Sequence, residues 1–199
     1  MDRMAAMAHL FSMLAVEETA ALARGLRKRD PELLDALIER YQYRLFRYLL
    51  YLTGNRETAE DLFQETWFRV LERGRQYDGR SRFETWLFSI ARHLVIDLQR
   101  RRKPHSLDAL TGPDDEGYAV PDGGPSPLEL ASARQEGVAL ERSLGRLAAV
   151  SREVLLLRFQ EDLTIEEIAS VAGVPVSTVK SRLYRGLREL RGMLEGEAS

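Results

Sequence analysis

The sequence predicts an all-α protein: two small helical domains joined by a flexible linker, with a helix-turn-helix near the C-terminal end. Three observations carry this. Apolar residues recur at helical spacing through both halves, no stretch alternates with the period of a strand, and a proline- and glycine-rich segment parts the halves. The composition is globular, with 44% hydrophobic and 30% charged residues and a formal net charge of −2. A chain of 199 residues is long enough for each half to bury a core.

Residues 1–29 read as an N-terminal extension. Met4 to Val16 is apolar like the core of a signal peptide, but Asp2 and His9 interrupt it. No small-residue cleavage site precedes Glu17 and Glu18, so a helix or a loose extension is expected. No apolar run approaches the roughly 18 residues that span a bilayer, so membrane insertion is not expected. Cysteine is absent, which removes disulfides, thiolate catalysis and cysteine-containing metal sites and permits a cytoplasmic location.

The first domain is expected over residues 30–103. Leu33, Leu34, Leu37, Ile38, Tyr41, Leu45, Tyr48 and Leu49 form one helical stripe. Arg56 to Arg73 places Ala59, Leu62, Phe63, Thr66, Trp67, Val70 and Leu71 on another. A third helix runs from Ser81 to Arg102 with Phe83, Trp86, Leu87, Ile90, Leu94 and Leu98 inward, and Ser81 and Glu84 offer a capping box. Pro104 stops it by disfavouring helical geometry at Lys103.

Residues 104–127 hold five of the seven prolines, four glycines, a cluster of carboxylates and no lysine or arginine. Such a segment resists folding and reads as the flexible linker. The second domain is expected over 128–195, its first helix capped by Ser126-Pro127-Leu128-Glu129. Ser151 starts the next helix through Val154, Leu155, Leu157 and Phe159.

Then comes the strongest motif, Thr164 to Val179. Thr164 and Glu167 form a capping box, Ala169 is small where two helices approach, and Gly173 suits the left-handed turn between them. Val179, Leu183, Leu187 and Leu190 give the following helix an apolar stripe. Its other face carries Ser177, Thr178, Lys180, Ser181, Arg182, Arg185 and Arg188. Lysine and arginine neutralise phosphates, hydroxyls reach backbone or base edges, and arginine binds guanine bidentately. A solvated face is the bland explanation of such a charge run; the coincidence of turn, cap, stripe and basic face favours DNA reading.

Val176-Ser177-Thr178-Val179-Lys180-Ser181-Arg182-Leu183-Tyr184-Arg185-Gly186-Leu187 resembles the DNA-reading part of region 4 of bacterial RNA polymerase sigma factors. Ala59-Glu60-Asp61-Leu62-Phe63-Gln64-Glu65-Thr66-Trp67 resembles their region 2.2. Phe83 to Arg92, with Asp97 and Arg100-Arg101-Arg102, is similar to regions 2.3 and 2.4. Two such domains with none between them resemble the extracytoplasmic-function (ECF) group.

The resemblance implies a factor that binds core RNA polymerase and directs promoter-specific initiation. Region 4 would read the −35 element through Ser177, Thr178, Lys180, Ser181, Arg182 and Arg185. Region 2 would open the −10 element through Arg80, Arg82, Phe83, Trp86, Arg92, His93, Arg100 and Arg101, since flipped bases need pockets and a displaced strand needs cations. Phe83 and Trp86 also lie on the apolar stripe, where a core role competes. His93 stands where the family often has asparagine, a departure that bears on −10 preference. Asp61, Gln64 and Glu65 form the polar face that the family docks on the β′ clamp helices, region 4 meeting the β flap. Promoter DNA is thus the second partner, and an anti-sigma factor is compatible with the resemblance, although no residue identifies one.

No cofactor, metal or catalytic role is expected. His9, His93 and His105 are scattered, without a nucleophile–base pair, ligand cluster or phosphate-binding glycine loop. The alternative is a helix-turn-helix regulator that is not a polymerase subunit, as in LuxR-type response regulators. Those place the reader behind a βα receiver, which the helical first half opposes.

Overall fold

A computed structural model describes residues 18–102, 140 and 142–197, and among them there is no strand. The helices are α1 (residues 18–28), α2 (Pro31–Thr53), α3 (Arg56–Arg73), α4 (Phe83–Arg102), α5 (residues 142–146), α6 (Ala149–Phe159), α7 (Ile165–Ala172) and α8 (Val176–Glu197). A 3₁₀ turn, Gly74–Gln76, follows α3. The expected linker and the Ser126–Glu129 helix start lie outside the described residues.

Local chemistry sets most of the ends. Asp30 caps α2, its carboxylate accepting from the amides of Glu32 and Leu33 with Pro31 in the first turn. Gly54 closes α2 in the left-handed region at φ 63°. Asn55 caps α3 by accepting from the Thr58 amide at 2.8 Å, and α3 has the bounds its periodicity predicted. Two starts differ from expectation. Helix α4 begins at Phe83, the Arg82 carbonyl accepting from the Trp86 amide, so the Ser81–Glu84 capping box is not the device there. The Glu84 carboxylate is instead taken by the Tyr41 hydroxyl at 2.8 Å. Helix α6 begins at Ala149, not Ser151, which is buried inside its first turn.

Helices α1 to α4 enclose Ala23, Leu26, Tyr41, Leu45, Tyr48, Leu49, Val70, Leu87 and Phe88. Residues 18–28, counted in the sequence as part of an extension, thus supply core through Ala23 and Leu26. The same apolar cluster continues without a break into the second half, through Val154, Leu157, Leu163, Ile168, Val171 and Val179. The two halves therefore share one interior. A smaller core of Leu144, Leu147 and Leu155, flanked by Leu183, Leu190 and Met193, seats α8 on α5 and α6.

The stripe of α8 needs one correction. Leu187 is exposed, and the buried position is Gly186. A Cβ at Gly186 would stand 3.0 Å from Leu155 Cδ1 and 3.2 Å from Ser151 Cβ, so α6 and α8 meet too closely there for a side chain. Helix α4 likewise buries more than its single stripe: Phe88, Ala91 and Val95 are covered as well as Leu87 and Ile90.

Gly186→Val is therefore expected to lower stability by roughly 1–3 kcal/mol through overpacking. Gly192→Val, on the same helix with nothing within 4 Å, is expected to be near neutral. Urea unfolding of the two variants measures the difference.

Candidate nucleic-acid and polymerase interfaces

The helix-turn-helix forms as its residues dictate. Thr164 Oγ1 accepts from the Glu167 amide at 3.2 Å, and the Glu167 carboxylate accepts from the Thr164 amide at 2.8 Å. Gly173 takes the left-handed conformation at φ 62°, its amide donating to the Ala169 carbonyl. Ile168, Val171 and Val179 are buried beneath the turn, which fixes α8 against α7.

Of the expected −35 residues, Ser177, Lys180, Ser181 and Arg185 are exposed, while Thr178 and Arg182 are half-buried. Helical spacing puts Ser177, Ser181, Tyr184, Arg185 and Arg188 on one outward face. Tyr184, not among the expected site residues, is 66% exposed in the middle of it. Its signal in the sequence is an aromatic residue three positions from Ser181, off the apolar stripe.

The loop between the 3₁₀ turn and α4 is built on aromatic rings. Tyr77 packs against Phe83 with ring centroids 5.9 Å apart and against Trp86 at 5.2 Å, and Phe83 meets Tyr41 at 5.4 Å. The Tyr77 hydroxyl donates to the Ser81 carbonyl at 2.7 Å. Burial, with the Glu84 and Asp78 carboxylates, pushes that hydroxyl up to about 12, so it stays a donor. Phe83 is thus buried as a support beneath the loop, and Trp86 is half-buried. Arg80 projects into solvent beside Asp78, and Gly79 turns the chain at φ 74°.

The other expected −10 residues divide. His93, Arg100 and Arg101 are exposed on α4, the His93 ring bonding the Ser89 carbonyl through Nδ1 at 2.6 Å. Arg92 is only 8% exposed, its Nε donating to Glu153 at 2.7 Å. Arg82 donates to the Asp162 carbonyl at 3.1 Å and lies near Glu84 and Glu167. Both arginines therefore face the second half of the chain. Arg44 does so too, 2.7 Å from Glu161.

On α3, Asp61 and Gln64 are exposed and Glu65 is half-buried, bonded to Arg69 at 2.7 Å. The same face presents Phe68, 59% exposed, seven residues from Asp61 and three from Glu65. Phe68 falls off the apolar stripe, and that displacement was its legible signal. Among the described residues no group of acidic and histidine side chains could hold a metal ion, and no helix is long and apolar enough to cross a membrane.

These surfaces define a helix-turn-helix protein with a second helical half that carries an aromatic-cored loop and a basic helix end. Residues 37–105 match the Sigma-70 region 2 family and residues 137–190 match Sigma-70, region 4. The ECF RNA polymerase sigma factor SigX of Bacillus subtilis is 33% identical over 164 residues, covering 82% of this chain and 84% of SigX. SigE of Mycolicibacterium smegmatis, also an ECF sigma factor, is 35% identical over 165 residues; they make up 83% of this chain and 63% of SigE. The sigma factor RpoE of Bartonella quintana, solved with the anti-sigma factor NepR, shares the fold at a TM-score of 0.65 and 24% identity, covering 81% of this chain and 96% of RpoE. The chain belongs to the ECF RNA polymerase sigma factors, with the regions 2 and 4 of a factor that directs promoter-specific transcription. The expectation of a sigma factor, in place of a regulator behind a receiver domain, is borne out.

Glu161 gives the join between the halves a pH signature. It is 2% exposed, and burial raises its pKa above the ordinary 4.5 against the lowering effect of Arg44. The folded protein thus holds this proton more tightly than the unfolded chain. Its contribution to stability is full below 4.5 and is lost as pH rises through the raised value. In Glu161→Gln that fall in stability between pH 4.5 and neutrality is expected to flatten, as read from urea midpoints across the range.

Proposed function

We propose that the chain joins core RNA polymerase through the α3 face of Asp61, Gln64, Glu65 and Phe68, reads a −35 element with α8, and opens a −10 element with the Tyr77–Arg82 loop and α4. The observation that carries this is the outward face of α8, basic and hydroxyl-rich beyond a correctly capped helix-turn-helix. Ser177, Thr178, Lys180, Ser181, Arg182 and Arg185 contact bases and phosphates, and Tyr184 adds a flat apolar surface among them.

On the −10 side, Arg80, Arg82, His93, Arg100 and Arg101 supply polar and cationic contacts, with Trp86 at the edge and Phe83 holding the loop from beneath. Arg92 joins this surface only when released from Glu153. The α3 face suits a basic helical partner such as the β′ clamp helices: carboxylates ring an exposed aromatic, the pattern of an anchor inside a polar rim. Region 4 would meet the β flap. The protein acts as a polymerase subunit and performs no chemistry of its own.

Run-off transcription with purified core polymerase and genomic fragments, followed by start-site mapping, tests the reading as a whole. Arg182→Ala or Arg185→Ala is expected to weaken −35 binding by about 1–3 kcal/mol while polymerase binding is kept. If both variants transcribe like the parent, α8 is not the reader.

Phe68→Ala, alone or with charge reversal at Asp61, is expected to weaken association with core polymerase by about 2 kcal/mol, as for an anchor residue. Thermal stability should move by less than about 0.5 kcal/mol, because the side chain is exposed. Unaltered affinity in a pull-down assay removes the docking role of this face.

A further inference from the structure

The polar contacts between the halves use the N-terminal half chiefly as a donor of positive charge. Glu153, on α6, is buried and accepts from Arg92 at 2.7 Å and from the Tyr48 hydroxyl at 3.1 Å. Glu161 takes Arg44, while the Asp162 carbonyl and Glu167 take Arg82. In the other direction Arg152 donates to the Tyr51 carbonyl at 3.0 Å. Carboxylate and carbonyl oxygens offer an arginine the same acceptor chemistry as a phosphate. Arg82 and Arg92 therefore cannot serve these partners and a DNA strand at once.

We infer that the chain closes on itself, with Glu153 as the bolt: the acidic residues around α6 and α7 occupy the cationic −10 surface and leave the recognition face of α8 open. The inference rests on the reading of Arg82 and Arg92 as −10 residues. Glu153 is the bolt because of where it lies. The Arg82 contacts are partly solvated and screened, so each is weak. Arg92 and Glu153 are both buried, and neither charge is tolerable there without the other. Separation of the halves is the only state that returns both to water. The closed chain would accordingly present its −35 reader first and its −10 surface only after opening, and docking of both halves on polymerase would supply the opening.

The sequence has no cysteine, so a donor and acceptor dye can be placed on the full chain at Tyr43→Cys and Phe159→Cys, both exposed. Glu153→Gln keeps the shape and deletes the charge. Energy transfer between the halves is expected to fall, with helix content unchanged by circular dichroism. Binding of a short mixed-sequence single-stranded DNA, read by anisotropy, is expected to tighten on the order of tenfold, the gain when a competent fraction rises from about a tenth to near one. Adding Arg82→Ala should erase the gain. Arg44→Gln, whose side chain is partly exposed, is the second opening variant should Glu153→Gln fold poorly. Unchanged energy transfer in both variants overturns the closure. Reduced transfer with no gain in DNA binding overturns the occlusion. Permanganate footprints of the holoenzyme then separate the causes. If Arg82→Ala leaves the −10 region melted as before, the −10 reading has failed. If Arg82→Ala impairs melting, that reading stands and only the latch is wrong.

Discussion

Glu153 is a carboxylate with almost no access to water, and its charge has to be answered from another part of the chain. Arg92, 61 residues earlier on α4, supplies the counter-charge, and Tyr48, 105 residues earlier on α2, supplies a second hydrogen bond. A buried pair of this kind is poor evidence of net stability, because desolvation offsets much of the attraction. What it does impose is uniqueness. Any displacement of α6 from α2 and α4 strands a charge, so of the many ways two helical halves could touch, one is selected. The Tyr48 hydroxyl is held well above its usual range by burial and by that same carboxylate, which keeps it a donor.

Around this point the shared interior follows. Val154 and Leu157 lie one position and one turn beyond Glu153 on the same helix, and both enter the apolar cluster of the first half. Burial of this apolar surface is the large, non-directional term, while the polar contacts decide register. Arg152 adds a different kind of bond. Its guanidinium donates to the carbonyls of Gly145, Leu147 and Tyr51, tying the end of α5 and the last turn of α2 to α6. Carbonyls at helix ends have no partner within their own helix, and a planar five-donor group is suited to collecting several of them.

Glu84 illustrates how the −10 loop is kept in place from below. Burial tends to raise its pKa, yet its own backbone amide, the Tyr41 hydroxyl and the nearby Arg82 outweigh that, and the net shift is downward. The carboxylate therefore stays charged at neutral pH. It anchors the first turn of α4 to α2 and leaves Arg82 between two acidic neighbours, Glu84 on its own half and Glu167 on the other. Because Glu167 is also half of the capping box of α7, the start of the helix-turn-helix and the base of the −10 loop are electrostatically in contact.

The sequence by itself determined the helices, their caps and the motif that reads DNA. Those features rest on contacts within a few residues: Asp30 with Leu33, Asn55 with Thr58, Thr164 with Glu167, and the left-handed turn at Gly173. Family resemblance in two ordered blocks was legible for the same reason, since each block is contiguous. Exposure of Phe68 and Tyr184 was within reach, because both lie off their helix's apolar stripe. Only the tertiary structure decided the rest. The start of α4 moved because Tyr41, 43 residues away, claims the Glu84 carboxylate. The stripe of α8 runs through Gly186 in place of Leu187 because α6 comes too close for a side chain. That Arg92 lies buried against Glu153 has no local signal at all, because a charged residue on a helix is exposed by default until a distant partner covers it.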